Sequence, residues 1–360
     1  LIKDRQFYMK RFEHPTDMEP LLPTGAQDVY LDESLNLMRK TARLEGMLHP
    51  ITRGHVLALV CSMNSYYSNL IEGHRTLPKD IDRALSHHFS RDPHRRSLQQ
   101  LHLAHVETQT LMEKRIGENP TINICSAEFL CWLHDEFYQR LPDEFHTVKD
   151  AQGRKVSAEA GRIRSGDVTV GRHLPPPAAK LGMFLKRFEE FYAEQFAEVR
   201  MVVPAIAAAH HRLTWIHPFN DGNGRVARLF TQAALQKGGL HGGGLWSISR
   251  GFARNGQKYR ELLDRADGPR LHDADGRGYL SETGLRDFCA FFIVTARDQV
   301  RFMTDLLDLE NIVTRIQSFA EIREQGRELP KRSGMALREC FLRGEIRRGD
   351  VCGPAEAPPT

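Results

Sequence analysis

The sequence has 360 residues, 41% of them hydrophobic and 27% charged, with 50 Lys and Arg against 46 Asp and Glu for a net charge of +4. This is an ordinary globular composition, long enough for one large domain with appendages or for two domains. With no apolar run of 18 residues it offers no transmembrane helix, and its charge is too mild to argue for nucleic acid. The opening LIKDRQFYMKRFEHPTD lacks the apolar centre of a secretory signal. Six cysteines, at 61, 125, 131, 289, 340 and 352, form no Cys-x-x-Cys pair. Cys125 and Cys131 read as small core residues. Such usage fits a reducing, cytoplasmic location rather than a disulfide scaffold.

In chain order the pattern is mostly helical. Helical spacing of apolar residues predicts helices over 31–48, over 55–72 with an end near Gly73, over 80–89 and over 97–116. Ser126 is placed to cap the next helix, AEFLCWLHDEFYQRL, which Pro142 stops. Residues 143–178 break the pattern and end in the triple proline 175–177. Within them DVTVGRH alternates with period two, so Val168 and Val170 share a face and a short β-hairpin is expected there. Helix resumes over 181–200, and Pro204 suits the first turn of PAIAAAHHRLTWI. The loop HPFNDGNG follows, then the helix RVARLFTQAALQK, ended by Gly238 and Gly239. Further helices are expected over 256–265, 284–307 and 308–325. A polar, basic segment and the opening of a small helical module, GMALRECFLRGEIRRGDV, precede a tail expected to be disordered.

The densest chemistry lies at His217-Pro-Phe-Asn-Asp-Gly-Asn-Gly-Arg-Val-Ala-Arg228. Gly222, Asn223 and Gly224 form a loop directly before a helix, which can turn several backbone N–H groups toward one point and make an anion hole. Arg225 and Arg228, three apart on that helix, face the same way, and two guanidinium forks beside an anion hole suit a polyphosphate. Asp221 offers a hard oxygen for Mg²⁺ bridging phosphates. At the other end of the loop a neutral His217 imidazole can take a proton from a nucleophile.

This string resembles the Fic family pattern, His-x-Phe-x-(Asp/Glu)-Gly-Asn-Gly-Arg-x-x-Arg, at every fixed position, and the likeness extends over roughly residues 50 to 310. The resemblance implies a helical core with one β-hairpin and transfer of AMP from MgATP. It makes His217 the general base, packs Phe219 into the core, and gives Asp221 to Mg²⁺. Gly222, Asn223 and Gly224 then line the α- and β-phosphates, Arg225 contacts the β-phosphate and Arg228 the γ-phosphate. Relatives that transfer the γ-phosphate instead tend to carry Lys at the position of Gly224, so glycine here favours AMP.

Upstream, Ser68 and Glu72 lie four apart on one helical face, and Glu72 falls at the helix C-terminus, where the dipole disfavours a carboxylate. An acid so placed calls for an external cation. With Gly73 it resembles the family's inhibitory motif, (Ser/Thr)-x-x-x-Glu-(Gly/Asn), whose Glu pairs with the second arginine of the catalytic string, here Arg228. The segment 161–177, with Val168, Thr169, Val170, Gly171 and His173, resembles the family's flap, which docks a target segment by strand addition; a plain structural hairpin is the other reading. By family position Asn255 and Tyr259 suit the adenine side, with core packing the competing use. The stretch 273–282 has the look of a calcium loop in the wrong register and reads as a turn with Ser281 as a helix cap. His87-His88 and His210-His211 read as surface and core histidines.

The expectation is therefore a mainly α protein: an N-terminal helical region with the inhibitory helix (1–115), a Fic-type core (116–265), a helical extension (266–325), and a linker with the start of a winged-helix-like module (326–360). Its implied activity is transfer of AMP from MgATP to a Ser, Thr or Tyr hydroxyl of a target protein, held back by Glu72. Removal of AMP with Glu72 as base, transfer of another nucleotide, and a nucleotide-sensing module whose basic tail touches DNA are the alternatives. Among partners, self-modification and a homo-oligomer stay open, DNA has only the C-terminal segment in its favour, and no membrane is implied.

Overall fold

The computed structural model describes residues 12–24, 27–149 and 155–346. Helix starts follow local chemistry. After α1 (Gln27–Glu45), the helices α2 (Pro50–Ile71), α3 (Pro78–Leu85) and α4 (Pro93–Glu118) each open on a proline, whose missing N–H costs nothing in a first turn. The Asp92 side chain accepts from Arg95 N to cap α4, and Ser126 accepts from Phe129 N to cap α5 (Ala127–Tyr138) as the sequence predicts. Then come α6 (Leu181–Gln195), α7 (Val202–Ile216), α8 (Asn223–Lys237), α9 (Ile248–Arg254), α10 (Gly256–Asp267), α11 (Glu282–Leu306), α12 (Leu309–Gln325) and α13 (Ser333–Arg343). Ser281 caps α11 by accepting from Gly284 N. Asp275 accepts from Leu271 N, Thr283 N and the Ser281 hydroxyl, so 271–283 is a braced turn.

The core is built around α7, in which every residue but Thr214 is buried. It packs against α6, α8 and α11, while α2 lies on α4 and α9. The run of alanines 207–209 explains the central place of α7, because small side chains let three neighbours close on one helix. Cys125 is buried there and Cys131 partly so, and His210 and His211 are core residues whereas His87 and His88 are exposed.

Three features differ from the sequence reading. The sheet lies earlier than expected: β1 (Thr147–Lys149) pairs antiparallel with β2 (Lys155–Ser157), Val148 opposite Val156. At DVTVGRH there is only a single bridge between Val170 and His173 around a Gly171-Arg172 turn. Alternation there does not mark a buried face, since Thr169 and Val170 are both exposed. Helix α9, seven residues long, is too short for periodicity to reveal. Finally, α4 runs through the expected 115/116 boundary and α10 through 265/266, so neither falls in a linker. The C-terminal α13 packs on α12 and on the first turns of α2, where Thr52 Oγ1 donates to Phe341 O at 2.7 Å. Residues 347–360, with the end of the basic segment, lie outside the described residues.

Candidate active site

The loop between α7 and α8 is held from several sides. His217 ends α7 in a left-handed conformation (φ 51°, ψ 61°), which turns the chain sharply out of the helix. Phe219, 1% exposed, anchors the loop in the core and stacks on His134 with ring centroids 4.0 Å apart. Asn223 Oδ1 accepts from Phe219 N at 2.9 Å and its Nδ2 donates to Phe219 O at 2.8 Å. The Asn223 side chain is thus spent on closing the loop, leaving its backbone N–H as what it can offer a phosphate. Gly222 has φ 76°, and a Cβ there would lie 2.6 Å from the Tyr138 ring, so both conformation and space require glycine.

Helix α8 begins inside the motif. Its first ladder bond runs from Val226 N to Gly222 O, so the amides of residues 223–225 lie ahead of the ladder at the positive end of the helix. Arg225 is 3% exposed. Its Nη2 donates to Asp221 Oδ2 at 3.0 Å, while Nε and Nη1 are buried without a hydrogen-bond partner among the described residues. Buried donors without partners are costly, and this pair is placed for an anion. The Tyr138 hydroxyl donates to the same Asp221 oxygen at 2.6 Å. Burial works to raise the Asp221 pKa, but the Arg225 charge and the Tyr138 hydrogen bond prevail and hold it below the usual carboxylate range. Half-exposed and anionic, Asp221 fits a divalent cation.

His217 Nδ1 lies 3.3 Å from Thr214 O. A carbonyl only accepts, so Nδ1 carries the proton and the Nε2 lone pair is left for a substrate. Burial pushes the ring down to about 4, so it is neutral at pH 7.

Arg228, also 3% exposed, is held by the end of α2 through two of its nitrogens, and it also shares a side-chain hydrogen bond with Tyr259. Its Nε donates to Ser68 Oγ at 2.8 Å, and Nη2 donates to Ser68 O at 3.1 Å and to Glu72 Oε1 at 2.5 Å. Glu72 is the C-cap of α2, so its charge opposes the helix dipole and the guanidinium compensates it. Burial raises the Glu72 pKa, but Arg228 and Arg225 more than offset this and keep it ionised. The carboxylate also covers the loop at the start of α8: a Cβ on Gly224 would fall 2.3 Å from Glu72 Oε1. Ser68 and Glu72 therefore meet Arg228 together, and Gly73 turns the chain away with φ 90°.

Residues 168–173 lie beside the histidine. His173 Nε2 is 2.7 Å from Trp215 O, two residues before His217. Val168 is half-buried, whereas Thr169, Val170 and Gly171 are exposed. The structure does not bring Asn255 and Tyr259 to an open groove together. Asn255 is exposed and donates to Gly251 O, but Tyr259 is 2% exposed with its hydroxyl 2.8 Å from His210 Nε2. An adenine contact from that ring requires the core around it to open.

Sequence reasoning missed Tyr138, His134 and Arg164. His134 accepts from Gly161 N at its Nδ1 and so donates through Nε2 to Asp221 O. Its one sequence signal is that His134 and Tyr138 stand four apart on the apolar face of α5.

A model of the Fic/DOC family matches residues 124–235. The protein adenylyltransferase Fic of Nematostella vectensis is 30% identical over 175 residues, 49% of this chain and 37% of that protein. The protein of the same name from Drosophila willistoni is 38% identical over 81 residues, 22% of this chain and 16% of that one. The chain thus spans well under half the length of these curated relatives. Among solved structures, a Fic domain containing signaling protein from Bacteroides thetaiotaomicron superposes with a TM-score of 0.56 at 18% identity, covering 76% of this chain and 95% of its own. Fic-1 from C. elegans (residues 134–508) gives 0.56 at 16%, covering 79% and 73%. At such identities the likeness is one of fold.

Proposed function

We propose, from the match of residues 124–235 to the Fic/DOC family model, that the chain is a protein adenylyltransferase of that family. It takes AMP from MgATP and places it on a Ser, Thr or Tyr hydroxyl of a target protein. The observation that carries this reading is Arg225, buried with two nitrogens unpartnered at the N-terminus of α8, one turn from an ionised Asp221 and one loop from a neutral His217. Amides 223–225 and the Arg225 fork would cradle the phosphates. Asp221, oriented by Tyr138, would hold Mg²⁺, which when bound neutralises phosphate charge. His217 Nε2 takes the proton of the target hydroxyl as its oxygen bonds to the α-phosphorus, the bond from that phosphorus to the bridging oxygen breaks, and pyrophosphate leaves. The low proton affinity of the ring keeps it neutral beforehand, and the approaching polyphosphate raises it.

The same reading makes Glu72 an inhibitor. Its carboxylate occupies Arg228 and overlies Gly224, so the terminal phosphate loses its partner and the α-phosphate its alignment. The exposed backbone at 168–170, tied next to His217, is proposed as the target-docking flap. Incubating the chain and its His217→Ala variant with α-labelled ATP and a proteome extract tests the activity. Protein-bound label that depends on His217 is expected; equal labelling by both forms would overturn the assignment.

A further inference from the structure

Arg164 belongs to the 161–177 segment but takes no role from its pattern, yet it is 3% exposed and spends its side-chain donors on main chain at three places. Its Nε donates to His217 O at 2.8 Å, Nη1 to Gly166 O at 2.9 Å and Nη2 to Pro176 O at 2.6 Å, and its own backbone N–H donates to Pro218 O at 2.9 Å. Burial lowers its pKa to about 10, which still leaves it cationic at neutral pH.

The first and last of these bonds bracket a strained unit. His217 is a non-glycine residue in the left-handed region, and it precedes a proline, which biases it toward extended backbone. Such a conformation persists only where its surroundings over-determine it. Here the carbonyls of His217 and Pro218 both accept from Arg164. The other two bonds reach Gly166 and Pro176, the two ends of the segment that carries Val168 to His173. One planar guanidinium therefore fixes the histidine's backbone and both roots of the flap at once.

We propose that Arg164 is a positioning residue that sets the register between the base and the docked hydroxyl. This inference rests on the reading of His217 as base and of 168–173 as flap. Lysine cannot replace it, because a single ammonium cannot meet three diverging carbonyls in the geometry of the fork.

The test uses the full chain carrying Glu72→Gly, with Arg164→Lys and, in parallel, His217→Ala. With Arg164→Lys, kcat for AMP transfer is expected to fall roughly 10²-fold, the scale of a misplacement near 1 Å. ATP Kd, measured calorimetrically, should stay within about twofold, since Arg164 touches none of the proposed phosphate ligands. The His217 Nδ1–H resonance should shift as the left-handed turn relaxes. An Arg164→Lys protein that folds with unchanged kcat overturns the proposal. So does one that loses ATP binding and kcat together, or fails to fold, since the role is then structural support. If His217→Ala itself leaves transfer intact, the base reading fails, and that outcome is distinct from the failure of Arg164.

Discussion

Replacing Glu72 with glycine removes the carboxylate bonded to Arg228 and leaves a guanidinium, 2% exposed at its side chain, held by neutral groups, Ser68 and the Tyr259 hydroxyl. The Glu72 carboxylate itself is about one-third exposed, at 34%, so the pair lies between a buried and a surface one. A charge-assisted hydrogen bond in that setting is worth about 1.5–3 kcal/mol. Two measurements should register it. Without nucleotide, Glu72→Gly should melt a few degrees lower than the parent chain, because a buried charge has lost its partner. With MgATP, Arg228 is released to the terminal phosphate and transfer should rise at least ~10-fold, which asks for only about 1.4 kcal/mol of relieved inhibition. A rise of kcat with little change in ATP Kd would place the effect in alignment rather than occupancy. The gain should vanish in Glu72→Gly, Arg228→Ala, since the released arginine performs the alignment. A gain that survives Arg228→Ala would refute the reasoning, as would no gain at all. Unchanged transfer with loss of AMP removal from a modified target would instead favour Glu72 as the base of the reverse reaction.

Two other predictions concern metal and pH. Asp221→Ala should leave very low activity that no longer responds to added Mg²⁺, and calorimetry should show Mg²⁺ no longer strengthening ATP binding; a preserved Mg²⁺ response would move the ligand elsewhere. His102, His134 and His217, pushed by burial down to about 4, and His105 and His210, to about 3, are neutral in the fold but titrate near 6.5 when unfolded. Stability should be complete above about pH 6.5 and fall as pH drops from there toward 4, each ring costing about 1.4 kcal/mol per pH unit. His102 and His105 lie on α4, and His102 Nδ1 meets Ser65 Oγ of α2 at 2.9 Å, so α2 should loosen with the rest. A melting temperature that is flat between pH 7 and 5 would contradict this.

What the sequence made legible was contiguous. The stretch His217 to Arg228 holds histidine, carboxylate, helix N-terminus and both arginines within twelve residues, so spacing alone suffices to group them. Glu72 was legible because its charge is wrong for its helix end, and Arg228 supplies the cation this calls for. Tyr138, His134 and Arg164 act on the loop from 53 to 87 residues away, and no local pattern marks a hydrogen bond to a distant carbonyl. That the Asn223 side chain ties off Phe219, leaving its backbone amide to the loop, is not legible either, because a side-chain amide in a glycine-rich loop serves either end equally well on paper. The hairpin was misplaced for a related reason: alternation in DVTV signals a strand only if a partner strand is present, and the pairing went instead to 147–149 with 155–157.

The central claim is that this site transfers the nucleotide and not the terminal phosphate, through His217. Its most direct test is the Glu72→Gly chain given ATP labelled at the α-phosphorus in one reaction and at the γ-phosphorus in another, with Glu72→Gly, His217→Ala beside it. The account predicts protein-bound α label, no γ label, and a loss of α label of roughly 10²–10⁴-fold without His217, the usual scale for a general base. Protein-bound γ label, or α label undiminished in the His217→Ala protein, would contradict it.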